Sequence, residues 1–186
     1  GKYDRIPLKE VELKVNYLLI ISTSAGLWAY NIGDTVKFTS LKPYKIIVTG
    51  RVKHFLSAFG EHVISEEVEN AMKVATNKHG VTIREFTVAP KINPKNGLPR
   101  HEWYIEFETN PKNIKSFSST LEMEMIGQNI YYEDLIKGNI IQQLEVVVVN
   151  QGGFNYYMKL EGRLGGQNKV PRLSNDRKIA DKLNAY

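Results

Sequence analysis

Cysteine is absent from the 186 residues, which excludes disulfides and thiolate chemistry. That absence is compatible with a reducing, cytoplasmic setting. Long apolar runs are missing too. The longest, Tyr17–Ile21 and Val146–Val149, fall far short of the ~20 residues a membrane helix needs and read as buried strands. No membrane partner is expected. The first residues, Gly1-Lys2-Tyr3-Asp4, are polar, so no signal peptide is expected. The chain opens on glycine rather than methionine, and a segment of a longer protein is expected. The 4 histidines show no metal-ligand spacing, so no protein-held metal is expected. A Gly-x-Ser-x-Gly nucleophile motif is also absent.

What is present is ordinary globular composition, 42% hydrophobic and 10% aromatic, enough to build a core without staples. The length suits one domain, or one domain plus a piece of another. The net charge of +5 is unevenly spread. Residues 1–50 carry 7 basic and 4 acidic side chains, 51–158 carry 11 and 13, and 159–186 carry 7 and 3. A basic tail can serve nucleic acid or phosphates, or be a solvated helix face. No recognition-helix or RNA-binding signature accompanies it, so no nucleic-acid partner is expected.

The first fifty residues read as a β meander. Tyr17–Thr23, Leu27–Tyr30, Thr35–Thr39 and Tyr44–Thr49 are strand candidates, separated by Asn-Ile-Gly-Asp and Leu-Lys-Pro turns. No helix covers this sheet, as expected if it belongs to a larger body. The texture changes at Gly50-Arg51. Ser65 is a good N-cap for a helix presenting Val68, Ala71, Met72 and Ala75, and Gly80 is a good stop. Val81–Ala89 and Glu102–Thr109 predict a hairpin around Asn93–Gly97, with Trp103, Tyr104 and Phe107 giving core plus one exposed ring. Asn113 or one of its neighbours opens a helix with Ile114, Phe117, Leu121 and Ile126 inward. Leu144–Val149 predicts a strand buried on both faces. A short helix at Phe154–Leu160, a Gly165-Gly166 loop and a last helix capped by Ser174, carrying Ile179 and Leu183, follow. The order from residue 51 is roughly β-α-β-β-α-β-α, an α+β sheet with packed helices.

Two segments carry the chemistry. The first runs Ser22-Thr23-Ser24-Ala25-Gly26-Leu27-Trp28-Ala29-Tyr30-Asn31-Ile32-Gly33-Asp34. Its Gly-Asp sets a carboxylate on a tight turn, able to accept two hydrogen bonds from vicinal ribose hydroxyls. Such a dipeptide is also a common turn. The second, from Gly50-Arg51 to Glu67-Val68-Glu69, begins 16 residues after Asp34. Together they resemble adjacent motifs of the adenylate-forming superfamily, Tyr-Arg-x-Gly-Asp and then Gly-Arg-x-(Asp or Lys)-x-x-Ile-Lys-x-x-Gly-x-Arg-Ile-x-x-x-Glu-Ile-Glu. Gly33, Asp34, Gly50, Arg51, Lys53, Leu56, Gly60, Val63, Glu67, Val68 and Glu69 fall in register. The wording Ser-Thr-x-Ala-Gly-Leu-x-x-Tyr-x-x-Gly-Asp is closer to one branch, the auxin-responsive (Gretchen Hagen) acyl-acid amido synthetases and their bacterial relatives.

That resemblance implies the roles that follow. Asp34, Arg51 and Tyr30 would bind the nucleotide, Asp34 at the ribose. Gly50 and Lys53 would form the hinge of a mobile lid. Lys169, in Gly165-Gly166-Gln167-Asn168-Lys169-Val170-Pro171-Arg172, resembles the lysine of the family's Gln-x-Lys-x-Pro-Arg stretch and would be catalytic, its ammonium entering the site when the lid closes. The pattern is not complete. Asn31, Ser57 and His62 stand where the superfamily carries basic residues. Those changes argue against a coenzyme A ligase and suit the amido-synthetase branch. The resemblance further implies residues 1–50 as terminal β elements of a large adenylating domain and 51–186 as a C-terminal α+β lid. ATP and Mg2+ would serve the full-length enzyme, which would join a carboxylic acid to an amine or amino acid. The Ser/Thr/Gly-rich phosphate loop and acyl pocket belong to an N-terminal domain absent here, so the isolated chain is expected to be inert. The alternative is a non-catalytic interaction or nucleic-acid-binding domain.

Overall fold

The computed structural model describes residues 5–51, 56–163, 165 and 169–184. The chain divides into two compact units, Gly1–Lys53 and His54–Tyr186.

The first unit is a three-stranded antiparallel sheet in the order β1-β2-β3, comprising Asn16–Ile21, Tyr30–Leu41 and Tyr44–Arg51. Val36 and Phe38 are its buried apolar side chains, and Tyr17 and Tyr44 meet Phe38 edge-on. Ile46, Ile47, Val48 and Trp28 stay exposed within the described chain. Two sequence expectations change here. Leu27–Ala29 is not a strand; only Tyr30 of that candidate is extended, and it opens β2. Nor does Asn31–Asp34 end a strand. It is a bulge inside β2: pairing jumps from Leu18↔Thr35 to Ile20↔Asn31, so β2 uses four residues where β1 uses two. Gly33 makes the bulge possible at φ +81°, where a side chain would be strained.

In the second unit β4 (Ile83–Lys91) and β5 (Arg100–Phe107) form the expected hairpin, and β6 (Glu145–Val149) lies parallel to β5 on its other side. Helices cover both faces. Val68, Ala71, Met72 and Ala75 of α1 (Ser65–His79) pack with Phe117, Leu121 and Met125 of α2 (Ile114–Gln128) onto Trp103, Ile105 and Phe107. Tyr132 of α3 (Ile130–Lys137) joins that layer. Beneath Tyr104 lie α4 (Gly153–Leu160) and α5 (Lys178–Asn184), with Phe154, Tyr157, Met158, Ile179 and Leu183. As the central strand, β5 therefore buries Trp103, Tyr104 and Phe107 alike, so none of the three rings is exposed. The strand expected to be buried on both faces, β6, is an edge with Val148 half exposed.

The caps shift as well. Gly80 closes α1 in the left-handed conformation as expected. At the other end Ser65 is already helical, and the Glu67 carboxylate accepts the Ile64 N–H at 3.0 Å. Asp176, not Ser174, takes the Lys178 N–H before α5. Before α1 there is only a two-residue bridge, Leu56↔Val63, where a strand was expected among the residues described. The expected single helix after Asn113 is two, because Asn129 interrupts it and caps α3 by accepting the Tyr132 N–H at 2.9 Å. Asn113 caps α2 by accepting from Ser116 at 3.0 Å. Asn113→Ala is expected to cost about 1 kcal/mol. A urea midpoint unchanged by that substitution would show that the cap carries no stability.

Candidate functional site

The β2 bulge aims the first site residues at one end of the first sheet. Asn31 Oδ1 accepts the Gly33 N–H at 2.8 Å, so the residue replacing the superfamily's arginine helps shape the bulge. The next residue, Asp34, sits in register with Arg51, and Thr35 with Gly50. Thr49 ties the three strands beside them, its Oγ1 2.8 Å from Asn16 Oδ1 and 3.1 Å from Thr35 Oγ1. Tyr30, half exposed, pairs with Ile21 at the same end of the sheet. The register thus brings Tyr30, Asp34, Gly50 and Arg51 to one end of the sheet. The hinge candidate Lys53 lies outside the described residues.

Lys169 belongs to the second unit and is exposed. It lines a cleft of about 220 Å³ with Arg84, Glu106, Asn155 and Arg163, above Phe154 and Met158. The residues after it run along the free edge of β4. Thr87 Oγ1 donates to the Pro171 carbonyl at 2.7 Å, Val88 N–H to the Arg172 carbonyl at 2.9 Å, and Ser174 N–H to the Val88 carbonyl at 2.9 Å. Leu173 and Val88 form a parallel bridge.

Several buried carboxylates escaped the sequence reading. Glu106, 1% exposed, accepts the N–H groups of Gly152 at 2.8 Å and Phe154 at 3.2 Å, capping α4. Glu102 holds Arg100, Arg177 and the Tyr104 hydroxyl. Glu61 Oε1 lies 2.8 Å from His101 Nε2, both side chains fully buried, while its Oε2 accepts the Phe59 N–H at 2.8 Å. Burial raises the Glu61 carboxyl, but the His101 hydrogen bond and charge together with backbone N–H bonds outweigh it and hold the group below the usual carboxylate range. Glu122 goes the other way: burial raises it, and the Leu144 N–H and Tyr132 hydroxyl only partly offset that. Partners such as Glu61 and His101 are forty residues apart, and no local spacing announces them. An isolated His101 in the apolar row Trp103-Ile105-Phe107 was the one available signal.

Among the described residues, four of the seven basic side chains after residue 158 are ion-paired, Lys178 and Lys182 of them at the surface. Arg172 pairs with Glu69 and Glu85, Arg177 with Glu102 and Asp181, Lys178 with Asp176, and Lys182 with Glu161. No helix among the described residues is long and apolar enough to cross a membrane.

Both units match parts of one known family. Residues 2–51 match the GH3 family central domain and residues 66–178 the GH3 family C-terminal domain, and the chain belongs to the GH3 family. It is 28% identical over 184 residues to indole-3-acetic acid-amido synthetase GH3.3 of Arabidopsis thaliana, 92% of this chain and 31% of that protein. To the 4-substituted benzoates-glutamate ligase GH3.12 of the same plant it is 26% identical over 192 residues, 92% of this chain and 33% of that one. The solved GH3.15 acyl acid amido synthetase shares the fold, with a TM-score of 0.75 at 21% identity, over 97% of this chain and 34% of that one. A second structure, AtGH3.15 acyl acid amido synthetase in complex with 2,4-DB, superposes with a TM-score of 0.72 at 20% identity. This chain therefore spans about a third of the length of these relatives.

Proposed function

We propose that this chain is the C-terminal portion of an ATP-dependent ligase that activates a carboxylic acid as its acyl adenylate and passes the acyl group to an amino acid. The observation that carries the reading is the pairing of Asp34 with Arg51 at the β2 bulge in a GH3-family chain. In the first half-reaction a carboxylate oxygen attacks the α-phosphorus of ATP and pyrophosphate leaves. In the second, the amine attacks the acyl carbon, AMP leaves and the amine gives up a proton. Asp34 offers two carboxylate oxygens to the ribose hydroxyls, and Arg51 stands beside it in the register to support the same ribose or its phosphate. Tyr30 lies at the same end of the sheet. Lys169 is a compact charge suited to the developing negative charge on the carboxylate and α-phosphate. Gly50 and Lys53 mark the hinge about which residues 51–186 turn as a lid. ATP fits Asp34 and Arg51 only along one wall. Mg2+ would accompany the ATP phosphates in the full-length enzyme.

The test is pyrophosphate release by the full-length protein carrying this chain, against a panel of aryl, indolyl and fatty acids. One acid is expected to drive release. Lys169→Ala is expected to lower kcat by roughly 10²–10³-fold, the loss typical of a positioned electrostatic group. Asp34→Ala is expected to raise KM for ATP by roughly 10- to 100-fold, as loss of charged hydrogen bonds does. The 186-residue chain alone is expected to release none. Failure of every acid, with no ATP binding, would sink the ligase reading and favour a family fold kept for interaction. The pairs that Arg172 and Arg177 make within the fold weigh against the nucleic-acid alternative.

A further inference from the structure

The Arg172 side chain joins three pieces of the second unit. Its guanidinium carbon lies 4.5 Å from the centroid of the Phe86 ring, and Nη1 donates to the Phe86 carbonyl at 3.2 Å. Nε faces Glu69 of α1 at 3.5 Å, and Nη1 pairs with Glu85 of β4. Phe86 in turn stacks on Trp103, with centroids 5.9 Å apart and planes 6° from parallel. The segment 169–174, a strap along β4, is therefore fastened to the hydrophobic centre of the unit as well as to a strand edge.

Between this clamp and Lys169 lie two residues. Val170 is buried, and Pro171 has a fixed φ and a carbonyl held by Thr87. Few free backbone rotations separate the clamp from the exposed ammonium. We infer that Arg172 is a positioning residue for Lys169, holding the strap against β4 and α1 so that the ammonium is delivered from a fixed root. This rests on the role proposed above for Lys169. Glu69, singled out by sequence pattern alone, then acts as one of the anchors of the clamp. A lysine at position 172 cannot do the same, because the site uses a planar cation that stacks on a ring and donates in several directions at once. Without Arg172, Glu69 and Glu85 would also lose the cation they share.

The experiment separates the two half-reactions in the full-length protein. Pyrophosphate release reports adenylation, and amide formation from chemically prepared acyl-AMP reports transfer without it. Arg172→Ala is expected to lower kcat for release by roughly 10- to 100-fold, the cost of a small misplacement of a reacting group. KM for ATP and the rate of amide formation from acyl-AMP should stay unchanged. Arg172→Lys should not restore release, and Lys169→Ala/Arg172→Ala should be no slower than Lys169→Ala alone. Equal loss in both half-reactions would mark Arg172 as merely structural and overturn the inference. So would losses that multiply in the double variant, or full activity of Arg172→Ala where Lys169→Ala is impaired. If Lys169→Ala itself leaves release unchanged, the role of Lys169 has failed, and the inference falls with it.

Discussion

Replacing Glu61 with alanine is expected to destabilise the second unit by about 2–4 kcal/mol, because it leaves two buried hydrogen-bonding partners unsatisfied. Two hydrogen bonds are lost at once. His101 loses its partner at 2.8 Å, the Phe59 N–H loses its acceptor, and His101 remains stacked between Phe59 and Tyr132 with no compensation. Glu61→Gln keeps an acceptor for Phe59 and should cost about 1–2 kcal/mol. The pH dependence distinguishes a charged from a neutral role. The folded Glu61 carboxyl titrates below its unfolded value near 4.5, so its stabilisation is present above that value and fades as pH falls through the folded one. Glu122, raised by burial, has the opposite sign: its contribution is full below 4.5 and is lost as pH rises through the folded value. Urea midpoints followed by far-UV circular dichroism from pH 7 down to about 2.5 would show both. Glu61→Gln should flatten the acid-side loss, and Glu122→Gln should hold or raise the midpoint at pH 7. If Glu61→Ala unfolds at the wild-type midpoint, the buried pair contributes nothing and the account of this loop is wrong.

Much of the fold could be read from sequence because local signals agreed with the tertiary outcome. Helix α1 has an apolar face at helical spacing and a glycine at its end, and the β4–β5 hairpin has alternation on both sides of a Pro/Asn/Gly turn. The misreadings share one cause, which is that neighbours distant in sequence decide them. Burial of β5 on both faces comes from α4 and α5, whose residues arrive fifty or more positions later. The edge position of β6 follows from sheet order and not from its Val-rich composition. At Asn31–Asp34 the turn chemistry was real, but pairing with β1 and β3 on either side converts it into a bulge. The candidate site divides the same way. The motif spacing picked out Asp34 and Arg51, and the strand register sets them opposite one another. The supports of Lys169, by contrast, are Thr87, Val88, Phe86 and Glu69, none within eighty residues of it. No periodicity or short motif encodes contacts of that range.

Trp103→Ala is expected to cost about 3–5 kcal/mol, the range for deleting a fully buried aromatic ring. The ring is 1% exposed at the centre of the sheet and packs among α1, α2 and β4, so few neighbours can collapse into the space. Trp103→Phe should be far milder. The indole N–H is buried without a hydrogen-bond partner among the described residues, so removing it forfeits no bond and lifts a desolvation cost. The smaller ring can keep its stack on Phe86. Because Phe86 also carries Arg172, the two substitutions should differ at the strap. In Trp103→Phe the Phe86 ring stays supported, and the Lys169 segment should keep its slow amide exchange at Val88 and Ser174, the two N–H groups that bond across the β4 edge. In Trp103→Ala that protection should fall with global stability. Arg172→Ala should instead weaken Ser174 protection selectively while the thermal midpoint of the unit changes little, since its guanidinium is partly exposed and removes no core volume. Equal loss of midpoint for Trp103→Phe and Trp103→Ala would mean that the indole N–H has a partner and that the core at β5 depends on it.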